Sequence, residues 1–204
     1  MPKITAINMQ TKIKERCNLF LDGEYYASVT LETVMKNRLK VGMDVEKEQL
    51  SQIITENERS EALSKATDYI SKYLKTKREV KDYLLRKGYS EEIAWFCIDK
   101  LKEYGYVNDQ EYSKRFIQSN SKNQGKRLLE YKLMMKGVKK EDIGVAYDNS
   151  DVDAKENAKN VAEKHLRNKE INKENLAKTY RYLIGKGFSY EEASYAIDCM
   201  KRED

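Results

Sequence analysis

Three segments of this chain share one frame: LLRKGYSEEIA (Leu84 to Ala94), LMMKGVKKEDI (Leu133 to Ile143) and LIGKGFSYEEA (Leu183 to Ala193). Aligned on Gly88, Gly137 and Gly187, they recur after 49 and then 50 residues. Four residues before each glycine stands a leucine, and a lysine (Lys87, Lys136, Lys186) immediately precedes it. An apolar residue (Tyr89, Val138, Phe188) follows, and a glutamate (Glu92, Glu141, Glu191) stands four residues on. A unit of this size cannot bury its apolar face alone, so the pattern predicts stacked modules rather than a single mixed core. The period is too long for a 34-residue tetratricopeptide repeat.

Each position in the frame has a physical task. A glycine after a helix takes the left-handed C′ conformation, which a Cβ makes costly. The apolar residue behind it, at C″, folds back on the last helical turn. Ser90 and Ser189 then start the next helix as N-caps, and Ser189 with Glu192 reads as a capping box. In the middle segment Lys139 replaces the serine. The frame is therefore helix, tight turn, helix. A further helix precedes each pair. In the first repeat Leu63, Ala66, Ile70, Tyr73 and Leu74 mark it, and Thr76 with Glu79 boxes the next helix. In the second, Asn108 and Glu111 open it ahead of Tyr112 and Phe116; in the third, Asp153 and Glu156 open it ahead of Ala158, Val161, Ala162 and Leu166. The last helix of the middle repeat rests on Ile143, Ala146 and Tyr147 before the polar run Asp148 to Asp153. The expected repeats are 59–107, 108–150 and 151–204, forming an elongated array because such modules contact chiefly their neighbours.

Residues 1–58 read differently. Ile7, Met9, Thr11 and Ile13 alternate with Asn8, Gln10 and Lys12, a strand pattern. Asp22-Gly23 between two β-prone runs predicts a type I′ hairpin. Strands are expected at 4–13, 16–21 and 24–29. A helical period follows at Leu31, Val34, Met35 and Leu39, Gly42 breaks it, and Asp44 is placed to cap a helix carrying Leu50, Ile53 and Ile54. The fold class is mainly α, with a small N-terminal antiparallel β-hairpin region.

The residues exclude most chemistry. The single histidine, His165, and three scattered cysteines, Cys17, Cys97 and Cys199, provide neither a nucleophile–base pair nor a zinc site nor a disulfide framework. There is no phosphate-binding G-x-x-x-x-G-K-[ST] loop, no H-E-x-x-H and no G-x-S-x-G. The acidic pairs Glu91-Glu92 and Glu191-Glu192 fall in first helical turns, where they complement the helix dipole. No enzyme, cofactor or metal is expected. No run of ~18 apolar residues is present and the N-terminus lacks a signal h-region, so a cytoplasmic monomer is expected, with no membrane contact.

Charge is uneven. The net +5 comes from residues 60–107 (+2) and 108–150 (+3), the flanking segments being neutral. Lys122, Lys126, Arg127, Lys132, Lys136, Lys139 and Lys140 face Glu130 alone, net +6 in 19 residues. On one continuous helix Lys132, Lys136 and Lys139 would share a side. This segment reads either as a solvated basic face or as a contact for phosphates or an acidic groove. Among 15 tyrosines, Tyr69, Tyr73, Tyr83, Tyr104, Tyr180 and Tyr182 fall at or beside apolar helical positions. The expected use is wedging between helices, with base stacking or interface anchoring as the alternative.

The triplicated helix–KG–helix unit, together with LDGEYYASV (Leu21 to Val29), resembles the RecX regulatory proteins of bacteria over nearly the whole chain. The resemblance implies an all-helical tandem repeat that binds the RecA recombinase. It implies a position in the groove of the RecA filament on single-stranded DNA, with inhibition of ATP hydrolysis, strand exchange and LexA self-cleavage. By this route the chain would regulate DNA repair, the SOS response and homologous recombination. Single-stranded DNA would be contacted weakly or through the filament. The alternative is a helical-repeat protein that binds nucleic acid directly.

Overall fold

The computed structural model describes residues 1–11 and 13–202. Among them are three strands and ten helices, which is the mainly helical class with a small N-terminal sheet. Strands β1 (Ile4–Met9), β2 (Arg16–Leu21) and β3 (Glu24–Thr30) pair antiparallel in the order β1-β2-β3. Asp22 and Gly23 both have positive φ, as a type I′ turn requires, and Leu21 lies opposite Glu24. The first strand stops at Met9, short of the expected residue 13; Lys12 lies outside the described residues.

One face of the sheet buries Ile4, Cys17, Leu19, Leu21 and Val29 against Val34, Leu39, Val45 and Leu50. Helix α1 (Leu31–Lys36) is capped by Thr30, and just beyond its C-cap Asn37 the positive φ of Arg38 turns the chain before Gly42 is reached. Asp44 does not cap the next helix. The 43–45 stretch instead runs along the N-terminal segment, with Ile4 N–H bonded to the Met43 carbonyl and Val45 N–H to that of Pro2. Burying Val45 in the sheet core thus overrides the capping preference, and α2 (Lys47–Ile70) begins two residues later, with Glu46 at its N-cap and no side-chain cap. This helix continues unbroken for 24 residues through position 58. It ends before Tyr73 and Leu74, so the stripe read to Leu74 overshoots; Ala62 and Ala66 are its fully buried positions here.

The remaining helices are α3 (Lys77–Arg86), α4 (Glu91–Glu103), α5 (Asp109–Asn120), α6 (Lys126–Met135), α7 (Lys140–Asp148), α8 (Ala154–Leu166), α9 (Lys173–Gly185) and α10 (Tyr190–Arg202). The three KG turns are built alike. Gly88, Gly137 and Gly187 have φ between 80° and 90°. In each turn the N–H of the residue after the glycine donates to the carbonyl of the leucine five residues before it: Tyr89 to Leu84 (3.2 Å), Val138 to Leu133 (3.1 Å), Phe188 to Leu183 (3.2 Å). The glycine itself donates three residues back, completing a Schellman motif. The three leucines are fully buried. The capping boxes Thr76/Glu79 and Ser189/Glu192 form with both reciprocal bonds, and Asn108 and Asp153 cap α5 and α8. Lys139 offers α7 no side-chain cap.

Met1–Lys72 with Lys81–Leu101 form one compact unit; Tyr73–Val80 with the chain from Lys102 onward form the second. In the second unit α8 packs on α10 through Ala158, Ala162, Ala193 and Ala196, all fully buried, with Val161, Leu183, Phe188 and Met200 around them. Small side chains at this contact let the two helix backbones approach. A separate cluster joins Ile117, Leu133, Val138, Ile143 and Ala146.

Within this second unit, each KG turn presses on the start of an earlier helix. The Thr76 hydroxyl donates to the Lys136 carbonyl (2.7 Å), and the buried Asp109 accepts from Lys77 N–H (3.0 Å). One repeat later, Gly125 N–H donates to the Lys186 carbonyl (2.9 Å) and Arg127 N–H to that of Gly187 (3.2 Å). The backbones meet so closely that a Cβ at Gly125 would overlap the Gly187 carbonyl and the Phe188 nitrogen.

Candidate interaction surface

The seven cations of the basic segment divide by environment. Lys122 lies in the turn between α5 and α6, Lys126 and Arg127 in the first turn of α6, and Lys139 and Lys140 at the start of α7; all five are exposed. Lys126 reaches Glu130 at 3.8 Å and sits over the Tyr147 ring at 4.9 Å. Lys122, Arg127, Lys139 and Lys140 make no ion pair with a described residue.

Lys132 and Lys136 are different. Lys132 Nζ donates to Gln124 Oε1 at 2.7 Å. Lys136 Nζ meets Glu79 Oε1 at 2.6 Å and stands over the Tyr112 ring. Burial pushes the Glu79 carboxyl up, but the Lys136 bond, the Thr76 backbone N–H and the charges of Lys136 and Lys75 outweigh it, so its pKa is lowered overall. Burial likewise pulls Lys136 down and is outweighed by Glu79 and Tyr112, leaving it raised. Lys136 is therefore part of the repeat contact. The shared helical side expected for Lys132, Lys136 and Lys139 does not exist, because α6 ends at Met135 and the Gly137 turn re-aims the chain before Lys139.

A second kind of cationic feature escaped the sequence reading. Tyr83 stacks on Tyr69 with centroids 4.1 Å apart, and Lys87 stands 5.6 Å over Tyr83. In the second unit Tyr182 stacks on His165 at 4.3 Å, and Lys186 stands 5.2 Å over Tyr182. In both cases the lysine is that of a KG turn and the tyrosine lies four residues before it. That shared offset was the available signal. The middle repeat has Lys132 at the ring position and lacks the stack. Tyr73 and Tyr104, expected to wedge between helices, are 73% and 56% exposed; their helices end too early to bury them.

His165 has a defined tautomer. The Thr179 hydroxyl donates to the Asn175 carbonyl, so it accepts from His165 Nδ1–H at 2.9 Å. Nε2 then accepts from Lys169 Nζ at 3.1 Å. Burial first, and the Lys169 charge second, lower the histidine pKa and favour the neutral ring. Cys17 and Cys97 are buried, and burial raises the Cys97 thiol to about 11. Among the described residues no three His, Cys, Asp or Glu side chains converge as metal ligands, and no helix is long and apolar enough to cross a membrane.

Comparison with known proteins gives the family. Residues 2–46 match the regulatory protein RecX N-terminal domain, 62–106 the first three-helix domain of RecX and 151–197 the third. The regulatory protein RecX of Clostridium beijerinckii is 38% identical over 97% of this chain and 95% of its own length. That of Bacillus subtilis is 30% identical over 100% of this chain and 79% of its own length. A crystal structure of a regulatory protein RecX superposes with a TM-score of 0.70 at 25% identity, covering 97% of this chain and all of the other. RecX from Lactobacillus salivarius, at 23% identity and a TM-score of 0.64, shares the fold over 71% of this chain. With the sheet, the triplicated turn and these matches agreeing, the chain belongs to the RecX family of regulatory proteins.

Proposed function

We propose that this chain is a non-catalytic regulator of RecA. It binds the RecA filament on single-stranded DNA along the groove, with its three repeats (59–107, 108–150 and 151–204) as the binding modules. It lowers ATP hydrolysis, strand exchange and LexA self-cleavage without chemistry of its own. Membership of the RecX family supports the partner, and three free thiols suit a cytoplasmic setting. The observation that carries the site is the set of exposed cations on the middle repeat. Among the described residues Lys122, Lys126, Arg127, Lys139 and Lys140 have one carboxylate partner between them, the 3.8 Å contact to Glu130. Cations without intramolecular partners are available to phosphates or an acidic groove, and their release of counterions makes binding salt-dependent.

The test follows from which lysines are engaged elsewhere. Lys126, Arg127, Lys139 and Lys140 are changed together to Glu, leaving Lys132 and Lys136 in their internal contacts. The variant keeps its helical circular dichroism, and the dose that halves RecA ATPase rises at least ~10-fold, one decade being the equivalent of about 1.4 kcal/mol. Residual filament binding depends less steeply on salt. An unchanged dose refutes the site.

The Lys87–Tyr83–Tyr69 and Lys186–Tyr182–His165 stacks favour a second reading, direct binding of nucleic acid, since a ring with a cation over it suits a base and its phosphate. Affinity for single-stranded DNA measured with and without RecA and ATP separates the two readings. A steep rise with RecA supports the filament, and equal affinity supports direct binding.

A further inference from the structure

The contact between repeats has two halves, and among the described residues each half occurs once more without its complement. The first half is the start of a repeat's second helix. The N-cap residues are Thr76, Gly125 and Asn172 for α3, α6 and α9. One residue on stands a lysine each time, Lys77, Lys126 and Lys173; four residues on stands Val80, Leu129 or Leu176. Where a KG turn of the next repeat presses on this segment, the apolar residue is sealed: Val80 is 0% and Leu129 1% exposed. Among the described residues no KG turn lies over the start of α9, and Leu176 is only half-buried. It borders an open groove of about 740 Å³ with Ala177, Tyr180 and Ile197, and with Lys173 and Arg181 at the rim.

The second half is the turn. A Cβ at Gly137 would collide with Arg78, and one at Gly187 with Leu128, because an earlier helix lies there. A Cβ at Gly88 meets nothing within 4 Å. The Lys136 and Lys186 carbonyls each accept a bond from the earlier helix start, whereas the Lys87 carbonyl has no such donor among the described residues. The first repeat thus presents an uncovered turn and the third an uncovered helix start.

We propose that the α9 groove takes the Lys87–Gly88–Tyr89 turn of a second copy of this chain, joining copies head to tail by the contact that joins repeats within one copy. The apolar floor at Leu176 supplies the burial that Leu129 receives from the third repeat. At the junction of the second and third repeats Lys126 and Glu192 line the same cavity. Lys173 holds the place of Lys126, but Ile93 stands where Glu192 does and the exposed Glu92 pairs with Arg59, so the contact between copies rests on shape and apolar burial rather than on charge. A head-to-tail contact is heterologous, so it extends into open chains rather than closing as a two-fold dimer. One turn against one groove is a small interface and hence a weak one, and the monomer expected from the sequence is the dilute state.

Sedimentation velocity on the full chain, from ~10 μM to ~1 mM, tests this without RecA or DNA, and so independently of the function proposed above. The wild type shows a mean mass rising continuously with concentration. Ala177→Arg blocks the groove at an exposed position. Gly88→Asn places a side chain in open space at a φ that asparagine tolerates. Each variant alone stays monomeric. An equimolar mixture forms dimers and nothing larger, because each variant retains the half the other lacks. If Gly88→Asn loses helical signal, excess Ala177→Arg added to wild type replaces it: that variant offers a turn but no groove, caps growing chains and lowers the mean mass. A wild type that is monomeric throughout, or an Ala177→Arg that associates as the wild type does, overturns the proposal.

Discussion

Gly88 and Gly187 share a backbone conformation, with φ of +90° and +89°, but not surroundings. Replacing each with alanine therefore separates two costs that are usually confounded. The first is conformational: a Cβ in the left-handed region costs ~1–2 kcal/mol, offset by ~0.4–1 kcal/mol because alanine stiffens the unfolded chain. Gly88→Ala carries this cost alone, since its Cβ meets open space, and a net loss of about 0.5–1 kcal/mol follows. At Gly187 the new Cβ lies 2.5 Å from the backbone nitrogen and Cβ of Leu128 and 3.0 Å from its Cα. Backbone cannot swing aside as a side-chain tip can, so the turn must back away from α6, weakening the Gly125–Lys186 and Arg127–Gly187 bonds. Overpacking of this kind adds ~1–3 kcal/mol, giving about 1.5–4 kcal/mol for Gly187→Ala. Urea unfolding followed by far-ultraviolet circular dichroism gives both values. In thermal melts, each kcal/mol corresponds to ~2–4 °C for a chain of this size. Equal losses at the two sites would falsify the repeat contact, because the conformational part is common to both.

Four further outcomes follow from the side chains. Glu79→Gln weakens the Lys136 pair, and because Lys136 is about one-third exposed the loss is modest, ~0.5–1 kcal/mol. Since the folded Glu79 pKa is lowered, its contribution is present above the ordinary 4.5 and disappears as pH falls through the folded value, so wild type and variant converge in acid melts. His165 gives a single histidine resonance that titrates below 6.5; its neutral form stabilises the fold fully above 6.5, and that contribution is lost as pH falls, a dependence absent from His165→Gln. Tyr147 Oη is buried without a hydrogen-bond partner among the described residues, so Tyr147→Phe changes stability by less than ~1 kcal/mol, and a larger loss in a urea melt refutes that environment. A thiol reagent at pH 8 labels Cys199 rapidly and Cys17 and Cys97 only on unfolding; fast labelling of Cys97, whose pKa is raised to about 11, contradicts its burial.

The parts legible in the sequence were those set by local backbone chemistry. Gly88, Gly137 and Gly187, the Thr76/Glu79 and Ser189/Glu192 boxes and the Asp22-Gly23 turn each follow from what neighbouring residues can do within one turn of chain. The parts that were not legible depend on pairing at a distance. Asp44 is a good cap by type, but the strand-like pairing of 43–45 with residues 2–4 claims it first. Lys136 looks like one more surface cation until Glu79, 57 residues away, is found beside it. The basic segment was visible as composition, yet its division into engaged lysines (132, 136) and exposed ones (122, 126, 139, 140) requires the Gly137 turn and the Gln124 and Glu79 partners to be in place. The Lys–Tyr stacks were within reach, since the offset of four residues is written in two repeats, but the middle repeat breaks the pattern and hides it.

Helix α2 has a consequence for how this protein can be divided. Its first half carries Leu50, Ile53 and Ile54 into the sheet core, and its second half buries Ala62 and Ala66. The place where the repeat count begins is thus the middle of a rigid shaft and not a joint. A cut at residue 58 would leave two half-helices, each too short to hold its shape in water and each with one apolar stripe bare. The N-terminal sheet is in this sense the first repeat's missing partner. Proteases given the native chain should spare this stretch, and grafts that exchange repeats between relatives should cross over in the 40–46 turn, where no helix is severed.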